Sequence, residues 1–240
     1  MDARQQSAQA VSGHADPEGE APWAMQLVAR VEKACPPNRT AVLEAAAMAT
    51  VQLLDSADAQ GDWRPAIDRW LAGRIRKHVR RARGAKWEQA QALPGLTVTH
   101  AGAEVRAFVP TSTDAIYPLV AKMQLSGSDL KDPGPRTALD PEPGVPMVAV
   151  SAETAMSWTK QAAATGHATQ IARMQMPAEK LAQWRANGFA VRVEQPDDAR
   201  WRQLVEAADV RVVDAGFTFP PQRQCESTEC EPVTAVARWS

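Results

Sequence analysis

Apolar positions along the chain switch between a period suited to strands and a period suited to helices. Residues 26–34 alternate, with Leu27, Ala29 and Val31 on one side, and predict a strand. Cys35-Pro36-Pro37 ends it, and Thr40 is placed to cap a helix over about 41–54. Residues 62–86 read as mostly helical: Leu71, Ile75, Val79 and Ala82 recur at helical spacing, and Gly84 closes the run. Two short strands, 96–99 and 104–109, flank a turn at 100–103. Thr113 or Asp114 then opens another helix through Val120 and Met123. The segment 126–146 is rich in Pro, Gly and acidic residues, as a linker or a long surface loop would be.

The pattern then restarts. A short apolar strand over 147–150 precedes an Ala-rich helix over 157–174, ended by Pro177. A helix over 178–186 is closed by Asn187-Gly188, and 189–193 alternates as a half-buried strand does. A helix over 197–207 carries Trp201, Leu204, Val205 and Ala208 on one face. The strand 210–213 runs straight into Asp214-Ala215-Gly216. Strands alternating with helices give an α/β class. The expected organisation is a disordered tail (1–21), a second α/β or mainly helical unit (22–125), the linker, and a domain over 147–240 with a mixed sheet flanked by helices. Both halves open strand–helix and continue strand–helix. Val105-Arg106, Pro110 and Asp114-Ala115 echo Val191-Arg192, Pro196 and Asp198-Ala199. That match needs gaps, and it reads as chance similarity.

With 240 residues, 45% hydrophobic and 23% charged, the chain has a normal soluble profile and room for two domains. No apolar run approaches the ~18 residues of a membrane helix, and residues 1–21 lack the apolar core of a secretory signal. Three cysteines without a CxxC point to the reducing cytoplasm, although Cys225 and Cys230 are close enough in sequence to pair. The four histidines fall in no metal-ligand spacing, so neither a metal nor a cofactor is expected. Walker, GxGxxG and GxSxG motifs do not occur.

The net charge of −1 conceals a basic stretch: from Arg69 to Lys86 there is no acidic residue. Read as a helix, it places Arg76, Arg80 and Arg83 on one face with Lys77 and Arg81 beside it, and Arg74 and Lys86 near its ends. Trp70 and Trp87 flank it. Uncompensated cations of this density suit a nucleic-acid backbone.

Four residues stand out for chemistry. If Ser157 caps the helix after 147–150, Lys160 falls in its first turn, where a cation opposes the helix dipole unless an anion binds. His167, seven residues on, shares that face and also suits a packed interior. Asp214 follows a short apolar strand, where α/β folds place ligand contacts. Gly216 would let Asp214 and Thr218 turn back toward one another as a water-positioning pair. An ordinary tight turn has the same composition.

Met156-Ser157-Trp158-Thr159-Lys160-Gln161-Ala162-Ala163-Ala164-Thr165-Gly166-His167-Ala168, then Leu181, Trp184 and Gly188, then Asp214-Ala215-Gly216-Phe217-Thr218, resemble in order and spacing the archaeal- and eukaryotic-type peptidyl-tRNA hydrolases. The resemblance covers residues 147–218. Together with the basic segment it is similar to an extended actinobacterial form. It implies hydrolysis of the ester joining a peptide to the 3′ ribose of tRNA. Asp214 and Thr218 would position water, Lys160 would hold phosphate or oxyanion, and His167 would orient the site or pack beneath it. Arg74, Arg76, Lys77, Arg80, Arg81, Arg83 and Lys86 would grip the tRNA. Minimal family domains are associated with dimers, so the first half could replace the partner within a monomer, as an internal pseudo-dimer. The chain departs from the family at Thr159 (usually Gly), Ala164 (usually Gln) and Glu194 (where many members carry Lys), and in the polar stretch after Thr218. Those departures keep two alternatives open: a non-catalytic RNA-binding protein with the same fold, and a protein-interaction module using the basic segment.

Overall fold

The computed structural model describes residues 19–125, 129–134, 139–151, 153–213 and 233–240. The expected tail lies outside this set except for its last residues, where Glu20 pairs with Arg69. β1 (Trp23–Arg30) leads into α1 (Arg39–Asp55), α2 (Ala57–Gln60), α3 (Arg64–Leu71) and β2 (Arg76–Ala82). Then come α4 (Ala85–Ala90), β3 (Gly95–His100), β4 (Ala103–Phe108), β5 (Thr111–Ser112) and α5 (Pro118–Ala121). The second half comprises β6 (Met147–Val150), α6 (Trp158–Gln175), α7 (Ala178–Ala186), β7 (Arg192–Glu194), α8 (Asp198–Glu206), β8 (Val210–Val213) and β9 (Val233–Arg238).

The largest correction concerns the basic helix. The helical pattern ends at Leu71, and past Gly73 the chain extends as β2, pairing parallel with β1 from Ala24–Arg76 to Arg30–Ala82. Lys77 sits between Ile75 and Val79 on the inward face, so a cation hides the period-two alternation. The spacing of Leu71, Ile75, Val79 and Ala82 fits a helix only by coincidence. Pairing with a neighbouring strand, which no local pattern encodes, decides the outcome. The helix expected from Thr113 to Met123 shrinks to α5, opened by Pro118. α1 is not capped by Thr40 either. Asn38 holds the N-cap position without a side-chain bond, and the Thr40 amide and hydroxyl donate to the Asp132 carboxylate at 2.8 and 2.9 Å. The segment expected as a linker is thus strapped to the body. Leu130 is buried, Arg39 N–H donates to the Lys131 carbonyl, and Leu139 N–H donates to Glu194.

The two sheets have the same topology. The first runs β2-β1-β4-β3, with β5 also on β1, and the second runs β7-β6-β9-β8. In each, the first strand pairs parallel with the second and antiparallel with the last, which also pairs antiparallel with the third. The halves are therefore a structural duplication: β1 corresponds to β6, α1 to α6, α3 to α7, β2 to β7, α4 to α8, β3 to β8 and β4 to β9. Trp70 in α3 and Trp184 in α7 are both fully buried. Each donates its indole N–H to a carbonyl six residues on, Arg76 at 3.0 Å and Ala190 at 2.8 Å. Trp70 lies as far before Trp184 as Trp87 in α4 lies before Trp201 in α8, so the match runs without gaps between these tryptophans. The same spacing carries Ala101-Gly102 onto Ala215-Gly216 in the sequence, and His100 onto Asp214. The echo between Val105 and Val191 used the wrong register, since Val105 lies in β4 and its counterpart strand is β9.

α1 and α6 share one layer between the sheets, and both are buried around most of their circumference. The Thr165 hydroxyl donates to the Leu43 carbonyl at 3.3 Å and the Thr169 hydroxyl to Ala47 at 3.4 Å. Four residues along one helix match four along the other, so the helices run parallel. A Cβ at Gly166 would come within 2.9 Å of Thr50 Oγ1 and 3.2 Å of Lys77 Cδ, which explains glycine at this crossing. One apolar cluster, from Met25 through Val51 and Trp158 to Ala237, spans both halves. The outer faces are covered separately, Val28 and Phe108 by Trp87 of α4, and Met147 and Val236 by Trp201 and Leu204 of α8.

Candidate functional site

β6 delivers the chain to α6 at the carboxyl end of the parallel strands, the edge where open α/β sheets take ligands. Ser151 Oγ accepts from the amides of Glu153 and Thr154, both at 3.2 Å, and tightens the turn. Ser157 is the N-cap of α6 and its side chain accepts from the Lys160 amide. Thr159, where the resembled family has Gly, is buried with its hydroxyl 2.9 Å from Ser157 Oγ, so it reinforces the cap. Lys160 falls in the first turn, with its side chain exposed. β8 runs parallel to β6, because both pair antiparallel with β9. Val213 therefore ends on the same edge as the α6 N-terminus. Asp214 and Thr218, the expected water-positioning pair, lie outside the described residues, as do Cys225 and Cys230.

His167 is not beside Lys160. It lies about 10 Å further along α6, where its Nδ1 is 3.2 Å from Lys77 Nζ of β2. The same ammonium donates to Gln170 Oε1 and lies 4.9 Å from the Trp70 ring centroid. Burial holds the Lys77 pKa well below its ordinary value of 10.5. Burial, reinforced by the Lys77 charge, holds His167 well below 6.5. His167 keeps part of its surface in contact with solvent and otherwise packs between the halves. The counterparts of His167, Gln170 and Lys77 in the duplication are Met48, Val51 and Val191, so this polar cluster occurs on one side only.

The expected tRNA-gripping residues scatter once the segment is a strand. Lys77 and Arg80 are buried. Arg80 is consumed by Gln26 Oε1 at 3.0 Å and the Met123 carbonyl at 3.0 Å, and Arg76 is half-buried. Arg74 is exposed at the opposite end of β2. Arg81, Arg83 and Lys86 remain on the surface together. They line a cleft of about 650 Å³ with Lys33 and Lys122, two cations that the sequence pattern did not single out. Each is isolated in sequence, and only the fold brings them there.

Two further departures from the family pattern have structural explanations. Ala164 is buried in the central cluster. Glu194, fully buried at the end of β7, accepts from Arg200 Nε at 3.2 Å and from Leu139 N–H at 3.1 Å, so its carboxylate anchors the 139 loop to α8. Among the described residues no group of three or more His, Cys, Asp or Glu is placed to hold a metal, and no helix is long and apolar enough to cross a membrane. No family model, curated protein or solved structure matches the chain.

Proposed function

We propose that the chain hydrolyses the ester bond of peptidyl-tRNA, releasing peptide and free tRNA, with one site on the carboxyl edge of the second sheet. The observation that carries this reading is the convergence on that edge. The first turn of a capped helix presents Lys160, and β8 ends there immediately before Asp214 in the sequence. The β-α-α-β-α-β-β order of the second half, repeated in the first with the short α2 added before α3 and with β5 and α5 after β4, also supports a fold of the peptidyl-tRNA hydrolase type. Water is the nucleophile. Asp214 accepts its proton with Thr218 holding its orientation, and Lys160 stabilises charge on the carbonyl oxygen or on the terminal phosphates. The ester bond breaks and the ribose oxygen leaves, taking the proton that Asp214 received from the water.

The first half lacks this arrangement. Its counterparts of Lys160 and Asp214 are Ala41 and His100, and the latter is taken up by Glu44 Oε2 at 2.9 Å. The fused chain therefore carries one site, as an internal pseudo-dimer would after one copy lost its chemistry.

A second reading, an RNA-binding protein without turnover, is favoured by Glu194, which puts a buried carboxylate where many members of the family carry a lysine. Release of labelled peptide from N-blocked aminoacyl-tRNA separates the two. Turnover by the wild type that falls at least a hundredfold in both Lys160→Ala and Asp214→Ala is expected. Salt-sensitive tRNA binding without turnover selects the second reading.

A further inference from the structure

The cleft of the first half lies at the carboxyl ends of β1 and β2, with Val31 following β1 and Arg81 to Arg83 ending β2. This is the edge that, in the other copy, carries Lys160. Five cations line it against two carboxylates, Glu32 and Asp129. Glu32 is already engaged by the Gly84 amide at 3.1 Å and by Arg30 at 3.1 Å. Among the described residues none of the five cations forms an ion pair, and Arg81 bonds only the neutral Gln124 side chain. Among the described residues the lining offers no aromatic ring on which a base could stack.

The two edges are at the same end of the molecule. α1 runs against β7: Glu44 meets the Val193 amide at 3.0 Å, and Thr40, one turn earlier, meets Gln195 at 2.9 Å, two residues later on the other strand. The duplication places α6 against β2 in the same sense, and α6 is parallel to α1. From the shared contact at Lys77 and His167, Lys160 lies about 10 Å back along α6. Arg81 lies about 13 Å forward along β2. Seven residues of helix return to nearly the same face, and Arg81 shares the inward face of β2 with Lys77. Lys160 and Arg81 are thus level with one another, on adjoining elements of different halves.

We propose that the cleft is a track for an RNA phosphate backbone that runs on to Lys160, so that the first copy, having lost its own chemistry, serves as the docking arm for the site of the second. The ligand is recognised by charge and spacing rather than by base identity. What lies at the Lys160 end rests on the ester-hydrolase reading, whereas the track itself does not.

The test uses the full chain and deacylated total tRNA, titrated at several salt concentrations. Lys33→Glu, Arg83→Glu and Lys122→Glu, all at exposed positions, are each expected to weaken binding about tenfold and to make the slope of log K against log salt shallower by about one. Arg74→Glu, equally basic in origin but at the far end of β2, is expected to change binding less than twofold. Cleft variants that bind as the wild type does overturn the proposal, as does an Arg74→Glu loss equal to that of Lys122→Glu. So does poly-glutamate of matched charge displacing tRNA as well as tRNA itself does. Retained cleft-dependent binding without peptide release removes the hydrolase reading alone. Peptide release with an unchanged kcat/KM in the cleft variants removes the track alone.

Discussion

Lys77 Nζ lies 3.2 Å from His167 Nδ1, and the two residues belong to different halves of a duplicated chain. Neither has a polar counterpart on the other side of the duplication. A buried lysine with an imidazole, a Gln170 amide oxygen and the Trp70 ring for company breaks the internal symmetry of the interface between the halves. It also fixes how the second sheet's central helix sits on the first sheet.

The depressed Lys77 pKa makes stability depend on pH. The unfolded chain holds this proton up to 10.5, whereas the folded chain releases it earlier. The unfolded state therefore binds more protons across that interval, and stability rises with pH through it. Denaturant midpoints of the wild type should climb as pH rises toward the unfolded value of 10.5. Those of Lys77→Met should climb less, and parallel curves would assign the effect to other groups.

Asp132 titrates in the opposite sense. Burial alone would raise its pKa, but the Thr40 amide, Gln195, the Thr40 hydroxyl and Arg39 together lower it. Its stabilisation is complete above the unfolded value and is lost as pH falls through the folded one. Asp132→Ala should cost about 1–2 kcal/mol at neutral pH, because it uncaps α1. Acid unfolding followed from pH 5 downward should be less steep in Asp132→Asn than in the wild type.

Glu194 tests whether the family lysine can be restored. Its carboxylate is fully buried against Arg200, so Glu194→Lys would bury two cations together, at a cost of about 3–5 kcal/mol. Glu194→Gln should cost about 1–3 kcal/mol. Equilibrium unfolding in urea reads both, and a Glu194→Lys protein as stable as the wild type would contradict this account.

The duplicated tryptophans make a paired prediction. Trp70→Phe and Trp184→Phe each leave a carbonyl, Arg76 or Ala190, without its indole donor. Each should cost about 1–3 kcal/mol in thermal or chemical unfolding. Trp70→Phe should also weaken the cation–π contact with Lys77, which favours its charged form, and so steepen the pH dependence described above. Trp184→Phe should leave it unchanged.

Local chemistry alone determined much of this protein. Strong periodicity and capping placed α6, α7, α8, β3, β4 and β8 close to where they lie, with Ser157 and Asp197 at their caps. β9 falls on the apolar stretch Val233–Arg238. These elements depend on neighbours a few residues away, which the chain spells out. Three things do not. The stretch from Arg74 to Lys86 reads as a helix until β1 offers it a parallel partner, and its cations then divide between a buried network and a surface cleft. Thr40 reads as a cap until Asp132, distant in the chain, supplies the acceptor. The duplication is hidden because packing preserves strand order and inward-facing positions rather than residue identity. Val191 answers Lys77, Met48 answers His167, and scattered identities such as the two tryptophan pairs are what remains alike. Burial, pairing and charge are properties of what surrounds a residue, and in this chain those surroundings come from the other half.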